Sequence, residues 1–355
     1  MIKKNSYKVL LIWVLVLSGC LSQNSLLITQ EPAAETKPSA QIMPTITAEQ
    51  TVVKEYDESG ETIPDVIPTS GSSMSNKNFL ILDRGNYYFF TAGGSNSTLL
   101  ASSEEGFIEK ASLSPDGTRF AYFKDNFIYI KDLGTQETIT LNKEIIGSIG
   151  SRIKWSPDGK KLYMSCANDR QPSMAVCAFD TTTGQIEVVI NEKNSDKLCA
   201  SSFIAITFQD ISSDGVKIVY SCLHAAEQGQ RGEFSVYIYD ILSKTSVKVF
   251  DSQTQETVWE IGDLLMSPDG KILLVNGANR DHMLNIYFLN LKTGMLSQLT
   301  NNAAYHFTAT LWQDDNHSFY VHRINANDPY TEGNFIMDIT GTTISTLNIQ
   351  GMITK

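Results

Sequence analysis

The sequence predicts an all-β protein, a six-bladed β-propeller of four-stranded antiparallel blades behind a flexible stalk. Three observations lead there. One turn, SPDG in its fullest form, recurs along the chain; each copy is followed by a second strand-turn-strand pattern; and the repeat is about forty residues, the size of a propeller blade. The copies read LSPDGTRFAYF from Leu113, WSPDGKKLYMS from Trp155, ISSDGVKIVYS from Ile211, MSPDGKILLVN from Met266 and WQDDNHSFYVH from Trp312, with a decayed MSNKNFLILD from Met74. Their fourth turn positions, Lys77, Asp116, Asp158, Asp214, Asp269 and Asp315, are spaced 39, 42, 56, 55 and 46 residues apart, which gives six units.

The first residues stand outside that pattern. Lys3, Lys4 and Lys8 precede the apolar run VLLIWVLVL and then SGC, the layout of an export signal over residues 1–19. The run is short for a membrane span. LSGC, Leu17 to Cys20, resembles the bacterial lipobox, which implies cleavage before Cys20, diacylglyceryl transfer to its thiolate and anchoring to a membrane on the extracytoplasmic side. Leu21 after that cysteine is the pattern of outer-membrane delivery in a two-membrane host. Residues 20–75, rich in Thr, Ser, Gln, Glu and Pro, show neither a helical nor a strand period and read as a lipidated stalk. A coil of that length reaches on the order of 40 Å.

Residues 76–355 form the propeller. In each unit Ser or Asp caps the turn, Pro presets its second position, and Gly takes the left-handed conformation that closes a hairpin. The apolar residue just before it, Leu113, Trp155, Ile211, Met266 or Trp312, reads as core between blades. The downstream pattern is FIYIKDLGTQETITL, AVCAFDTTTGQIEVVI, SVYIYDILSKTSVKVF, NIYFLNLKTGMLSQLT or NFIMDITGTTISTLNI, with YYFFTAGGSNSTLLA in the first unit. Apolar, β-branched and aromatic runs split by Thr, Gly, Asn or Lys write a second hairpin. These two signatures resemble the TolB-type propeller repeats, which also occur in the propeller domains of prolyl oligopeptidases and dipeptidyl peptidases. The resemblance covers nearly all of residues 76–349 and implies the fold while saying little about a ligand. The chain lacks the N-terminal α/β domain of TolB, so TolB's own partners are not carried over.

Strands in a blade alternate direction, so the SPDG and TTTGQ turns leave one end of the ring. The links between second and third strands, and between blades, leave the other. The latter are long: CANDRQPSMAVC, CLHAAEQGQRGEF, NGANRDHML, HRINANDPYTEGNF, NEKNSDKLCASSF and DSQTQETVWE. Long loops on a rigid scaffold are where binding usually resides. Arg170 and Arg231 are candidate loop cations there, and Trp259 and His306 stand near the starts of inner strands at the mouth of the channel. All four remaining cysteines fall on that side, and disulfides Cys166–Cys177 and Cys199–Cys222 are expected from their places in the repeat, with other pairings or free thiols left open. Ring closure has two candidates, IPTSGSS before the first unit or the C-terminal GMITK. The latter is preferred because an open edge invites pairing with other chains.

Removing residues 1–19 takes the formal charge from −11 to −14, which speaks against a nucleic-acid partner. There is no G-x-S-x-G elbow, H-E-x-x-H pair, phosphate-cradling loop or calcium loop, and no cofactor or metal is expected. The sequence therefore reads as a lipid-anchored binding module of the cell envelope, with a protein, peptide or glycan ligand and no catalysis. The alternative is a carbohydrate-active enzyme. Oligogalacturonate lyases have a related propeller with a histidine-bound metal, and His224, His282, His306 and His322 all lie near the long-loop end.

Overall fold

A computed structural model of the chain describes residues 78–90, 97–102, 108–124, 127–141, 152–168, 171–191, 203–224, 233–254, 257–328, 332–347 and 351–354. The export signal, Cys20 and the stalk lie outside the described residues. Within them the strands form six four-stranded antiparallel sheets and no helix. From inner to outer strand, blade 1 is Met352–Thr354, Phe79–Asp83, Asn86–Phe90 and Ser97–Ala101; blade 2 is Ile108–Leu113, Arg119–Lys124, Phe127–Asp132 and Thr138–Thr140. Blade 3 is Ile153–Trp155, Lys161–Asn168, Gln171–Asp180 and Ile186–Ile190, and blade 4 is Phe203–Ile211, Lys217–His224, Phe234–Asp240 and Thr245–Asp251. Blade 5 is Glu260–Met266, Ile272–Ala278, Leu284–Asn290 and Leu296–Gln298, and blade 6 is Tyr305–Trp312, Ser318–Asn325, Glu332–Asp338 and Thr343–Leu347. The fold is the six-bladed propeller the repeats predict.

The repeated turn works through its side chains. In blades 2 to 5 the Ser hydroxyl donates to the turn Asp, at 2.5 Å for Ser114 to Asp116 and 2.6 Å for Ser156 to Asp158. The same hydroxyl oxygen accepts the N–H that opens the next strand, Arg119, Lys161, Lys217 or Ile272. Gly117, Gly159, Gly215 and Gly270 sit at φ of 68° to 72°, the left-handed region a side chain would strain. In the decayed sixth copy Asn316 takes that place at φ 59°. The second hairpin is stopped in a like way: Asp132, Asp180, Asp240, Asn290 and Asp338 each accept backbone N–H groups two to four residues ahead.

The core lies between blades. Phe123 and Ile130 of blade 2 pack on Trp155, Leu162, Met164 and Phe179 of blade 3, and each further seam repeats the arrangement. Trp155 and Trp312 are buried in these seams, and their indole N–H groups donate to Ser112 O and Leu265 O of the preceding blades, both at 3.1 Å. Ring closure comes from the C-terminus: Met352, Ile353 and Thr354 pair with Leu82, Ile81 and Leu80, so the end of the chain supplies the inner strand of blade 1.

One loop differs from its sequence reading. The segment from Cys166 to Cys177 is mostly strand, because Lys161–Asn168 and Gln171–Asp180 continue as a paired hairpin to Asn168↔Gln171, with a register shift between Gln171 and Ala175. The polar letters NDRQPS suggested a loop; the backbone keeps its ladder and absorbs the mismatch in a bulge. Cys166 and Cys177 are joined by a disulfide with Cα atoms 5.8 Å apart, buried against the blade 2 seam.

Candidate functional site

Inner strands run from the long-loop end toward the turn end, so their first residues surround the channel mouth. Several of these strands carry ionisable residues where core would be expected. Counted back from the apolar residue before each turn, Lys110, Arg152 and Asp263 stand three residues earlier, and Lys154 and Asp210 one residue earlier. The channel therefore has two charged tiers, the first nearer the long-loop end.

Backbone irregularities place Lys110, Asp210 and Asp263, whereas the blade 3 inner strand pairs in regular register. The pairing of inner and second strands shifts between Ile108 and Lys110 in blade 2, between Phe208 and Asp210 in blade 4, and between Ile261 and Leu264 in blade 5. A bulge bends the strand and re-aims its side chains, which lets an alternation otherwise devoted to core present a charge to the channel.

In the first tier Arg152 Nη2 donates to Asp263 Oδ2 at 3.0 Å. These residues belong to blades 3 and 5, which are not neighbours, so the pair reaches across the channel. Asp263 keeps 34% of its side-chain exposure and Arg152 14%, so both meet solvent inside the ring. Burial alone would raise the Asp263 carboxyl, but Arg152, Lys110 and Lys154 reverse this and hold it well below the usual carboxylate range. Burial pulls Arg152 down, and Asp263 and Asp210 more than compensate. In the second tier Lys154 Nζ lies 3.3 Å from Asp210 Oδ1, while Asp210 also accepts the N–H groups of Ile211 and Met266, both at 2.9 Å. Gln209 Oε1 accepts Leu264 N–H at 3.2 Å, so the blade 4 bulge satisfies the inner edge of blade 5.

Charge is unevenly divided. Cations come from blades 2 and 3 and carboxylates from blades 4 and 5, and Lys110 pairs with neither carboxylate. Among the described residues the first tier thus holds two cations against one anion, a local positive excess in an acidic chain.

Of the residues singled out in the sequence, Arg170, Arg231 and Cys199 lie outside the described residues. Trp259 is half-buried just before the blade 5 inner strand; its backbone N–H donates to Ala278 O at 2.7 Å, and the Arg280 guanidinium sits 5.6 Å from its ring centre. His306 is the second residue of the blade 6 inner strand, where its Nδ1 accepts Leu284 N–H at 3.2 Å and burial lowers its pKa. Both stand at the loop end of blades 5 and 6. Beside them Arg323 lies between the rings of Tyr305 and Phe335, at 4.4 and 4.5 Å. Cys222 is disulfide-bonded. His282 faces Glu260 at 3.4 Å and His322 faces Glu332 at 3.5 Å, and among the described residues no group of three His, Cys, Asp or Glu is placed to hold a metal ion. The tier residues escaped the sequence reading, although aligning the inner strands on the turn shows an ionisable residue at the same place in three of them.

No family model and no curated protein sequence matches this chain. Solved structures do resemble it. TolB from Acinetobacter baumannii matches with a TM-score of 0.56 at 16% identity over 80% of this chain and 66% of that one. A putative TolB from Agrobacterium tumefaciens gives 0.52 at 15% identity, over 77% and 90%. A chain of a nidogen/laminin complex gives 0.54 at 9% identity, over 78% and 96%. At these identities the likeness is one of fold: this chain has a propeller similar to that of TolB.

Proposed function

We propose that this protein is an envelope binding module, tethered through lipidated Cys20 and engaging a protein or peptide segment at the long-loop end of its channel. The observation that carries the reading is the first charged tier, where Lys110 and Arg152 both act on Asp263 and, among the described residues, Lys110 has no ion pair of its own. A fold that needed charge only for its own cohesion would balance it, because an unpaired buried charge costs stability. An excess cation facing solvent in a channel is instead available to an incoming carboxylate. The acidic chain around it repels extended polyanions, so an isolated acidic group on a protein segment fits better than a polyuronate or a nucleic acid. The expected Cys199–Cys222 bridge would tie the link entering blade 4 to that blade's second strand on the same side.

Two experiments test the reading. In intact cells, a photo-crosslinking residue at Arg231 is expected to capture a partner that the same residue at Thr183, in a turn at the opposite end, does not. Equal capture at both positions would contradict the assigned face. Cys20→Ser is expected to move the protein from the membrane to the soluble fraction; retention in the membrane would contradict the lipid tether.

A further inference from the structure

The seam that closes the ring differs in one residue from the seams that follow blades 3, 4 and 5. At the fifth position of the second strand, Ser165 in blade 3 accepts Phe208 N–H of the blade 4 inner strand at 2.8 Å. Asn276 in blade 5 exchanges two hydrogen bonds with Ala309 of blade 6, at 2.7 and 2.8 Å. The equivalent residue in blade 4 is Ser221, which holds the Gln209 amide that in turn reaches blade 5. In blade 6 this position is His322, and the next inner strand is the C-terminal one. A fixed polar group ties three seams, and a titratable group ties the fourth.

His322 is 5% exposed and acts through two partners on its own sheet face. Its Nδ1 is 3.2 Å from Asn334 Oδ1, and Asn334 Nδ2 donates to Gly351 O at 2.8 Å. Its Nε2 is 3.5 Å from Glu332 Oε2, while Glu332 Oε1 accepts Gly351 N–H at 2.8 Å. Both polar groups of the Gly351 backbone are thus gripped just before the closing strand begins. Gly351 has φ 85°, and a Cβ there would come within 2.7 Å of Leu82 O, so the chain enters this grip only as glycine.

We propose that His322, Glu332 and Asn334 form an acid-labile clasp on the ring-closing strand. The hydrogen-bond directions decide its chemistry. The Asn334 amide gives its N–H to Gly351 O, so its oxygen faces Nδ1, which must carry a proton. Neutral His322 then presents a bare Nε2 to Glu332, and only a second proton completes that contact. Burial opposes this proton more strongly than Glu332 and Asn334 favour it, and His322 is held below its ordinary 6.5. With the strand released, His322 meets water and takes the proton at the ordinary value. Release is therefore favoured as pH falls below about 6.5, and the effect levels off once the closed form also protonates. Among the described residues the other charged groups facing the clasp are Asp83 of blade 1, raised by burial and by Glu332, and its neighbour Arg84 at 3.9 Å. Arg323 points to the opposite face of the sheet, between Tyr305 and Phe335.

The test is hydrogen exchange of Met352–Thr354 in the full chain at pH 7 and pH 5, corrected for intrinsic exchange and referenced to Ile272–Ala278. Protection of the closing strand is expected to fall severalfold between the two, because His322 is held below its ordinary value only while the strand is closed. His322→Asn, which keeps a donor toward Asn334 and cannot titrate, is expected to abolish that fall. Glu332→Gln removes the charge that favours the second proton and is expected to enlarge it, and serves also if His322→Asn does not fold. Asp83→Asn is expected to leave the fall in place. An unchanged fall in His322→Asn, a smaller one in Glu332→Gln, or none in the wild type would overturn the clasp.

Discussion

The two ends of the ring are cut from the same strands and have opposite characters. At the turn end the links are short and their Ser and Asp side chains are satisfied locally. Neighbouring turns are also tied together: Arg119 donates to Gly159 O at 2.5 Å and Thr181 Oγ1 at 3.1 Å, Ser213 Oγ donates to Pro268 O, and Asn316 accepts Asp269 N–H at 2.7 Å. At the other end the links differ in length and sequence from blade to blade, and among the described residues the charges of the first channel tier do not balance. The residues that repeat maintain the ring, and the recognition proposed above would draw on the residues that do not repeat.

Changes that break the ring should be the largest. Deleting Gly351–Lys355 removes the inner strand of blade 1 and uncovers the seam of Phe79, Ile81, Tyr320 and Ile336, where Ile353 is buried. Losing one such aliphatic residue costs about 2–5 kcal/mol, so thermal unfolding by circular dichroism should shift down by several degrees. An unchanged midpoint would mean that the closing strand contributes little. Next comes the blade 3 hairpin: Cys166→Ser with Cys177→Ser opens a short cross-linked loop and should cost about 2–3 kcal/mol in denaturant titration.

Smaller effects should separate the two ends. Asp263→Asn leaves Arg152 without its counter-charge across the channel, and a loss of about 1–2 kcal/mol is expected, moderated by the solvent that reaches the pair. At the turn end Gly159→Ala should cost about 1 kcal/mol from its left-handed backbone and leave partner capture unchanged. The smallest effect is in acid. Hydrogen bonds from Ser114, Ser156 and Ser212 hold the carboxyls of Asp116, Asp158 and Asp214 below their ordinary 3.8. Their contribution is present above that value and is lost as pH falls through the lower folded-state values. Turn substitutions such as Ser156→Ala should flatten that acid limb.

The scaffold was legible because its signals are local. SPDG, with its downstream Asp or Asn turn, specifies backbone geometry through a few neighbouring atoms, and Trp155 and Trp312 precede it wherever the seam needs bulk. The C-terminal closure could be inferred only from the need to cover an edge, since MIT is too short to read as a strand by itself. The charged tiers were not legible in the same way. Lys110 and Asp210 look like the outward residues of ordinary alternating strands, and their turn toward the channel depends on bulges fixed by pairing with a second strand. His322 likewise reads as one loop-end histidine among several until the topology makes its neighbour the end of the chain.

Recognition is proposed to belong to the channel and not to the repeated turns. The direct measurement is the yield of bound partner when the full-length protein is retrieved from its native envelope as Lys110→Glu or as Lys160→Glu, an equal charge reversal placed in the channel or in an exposed turn. Reversal at Lys110 is predicted to lower the yield by at least about tenfold, with Lys160→Glu matching the wild type. Loss of the partner from Lys160→Glu with retention by Lys110→Glu would contradict the account.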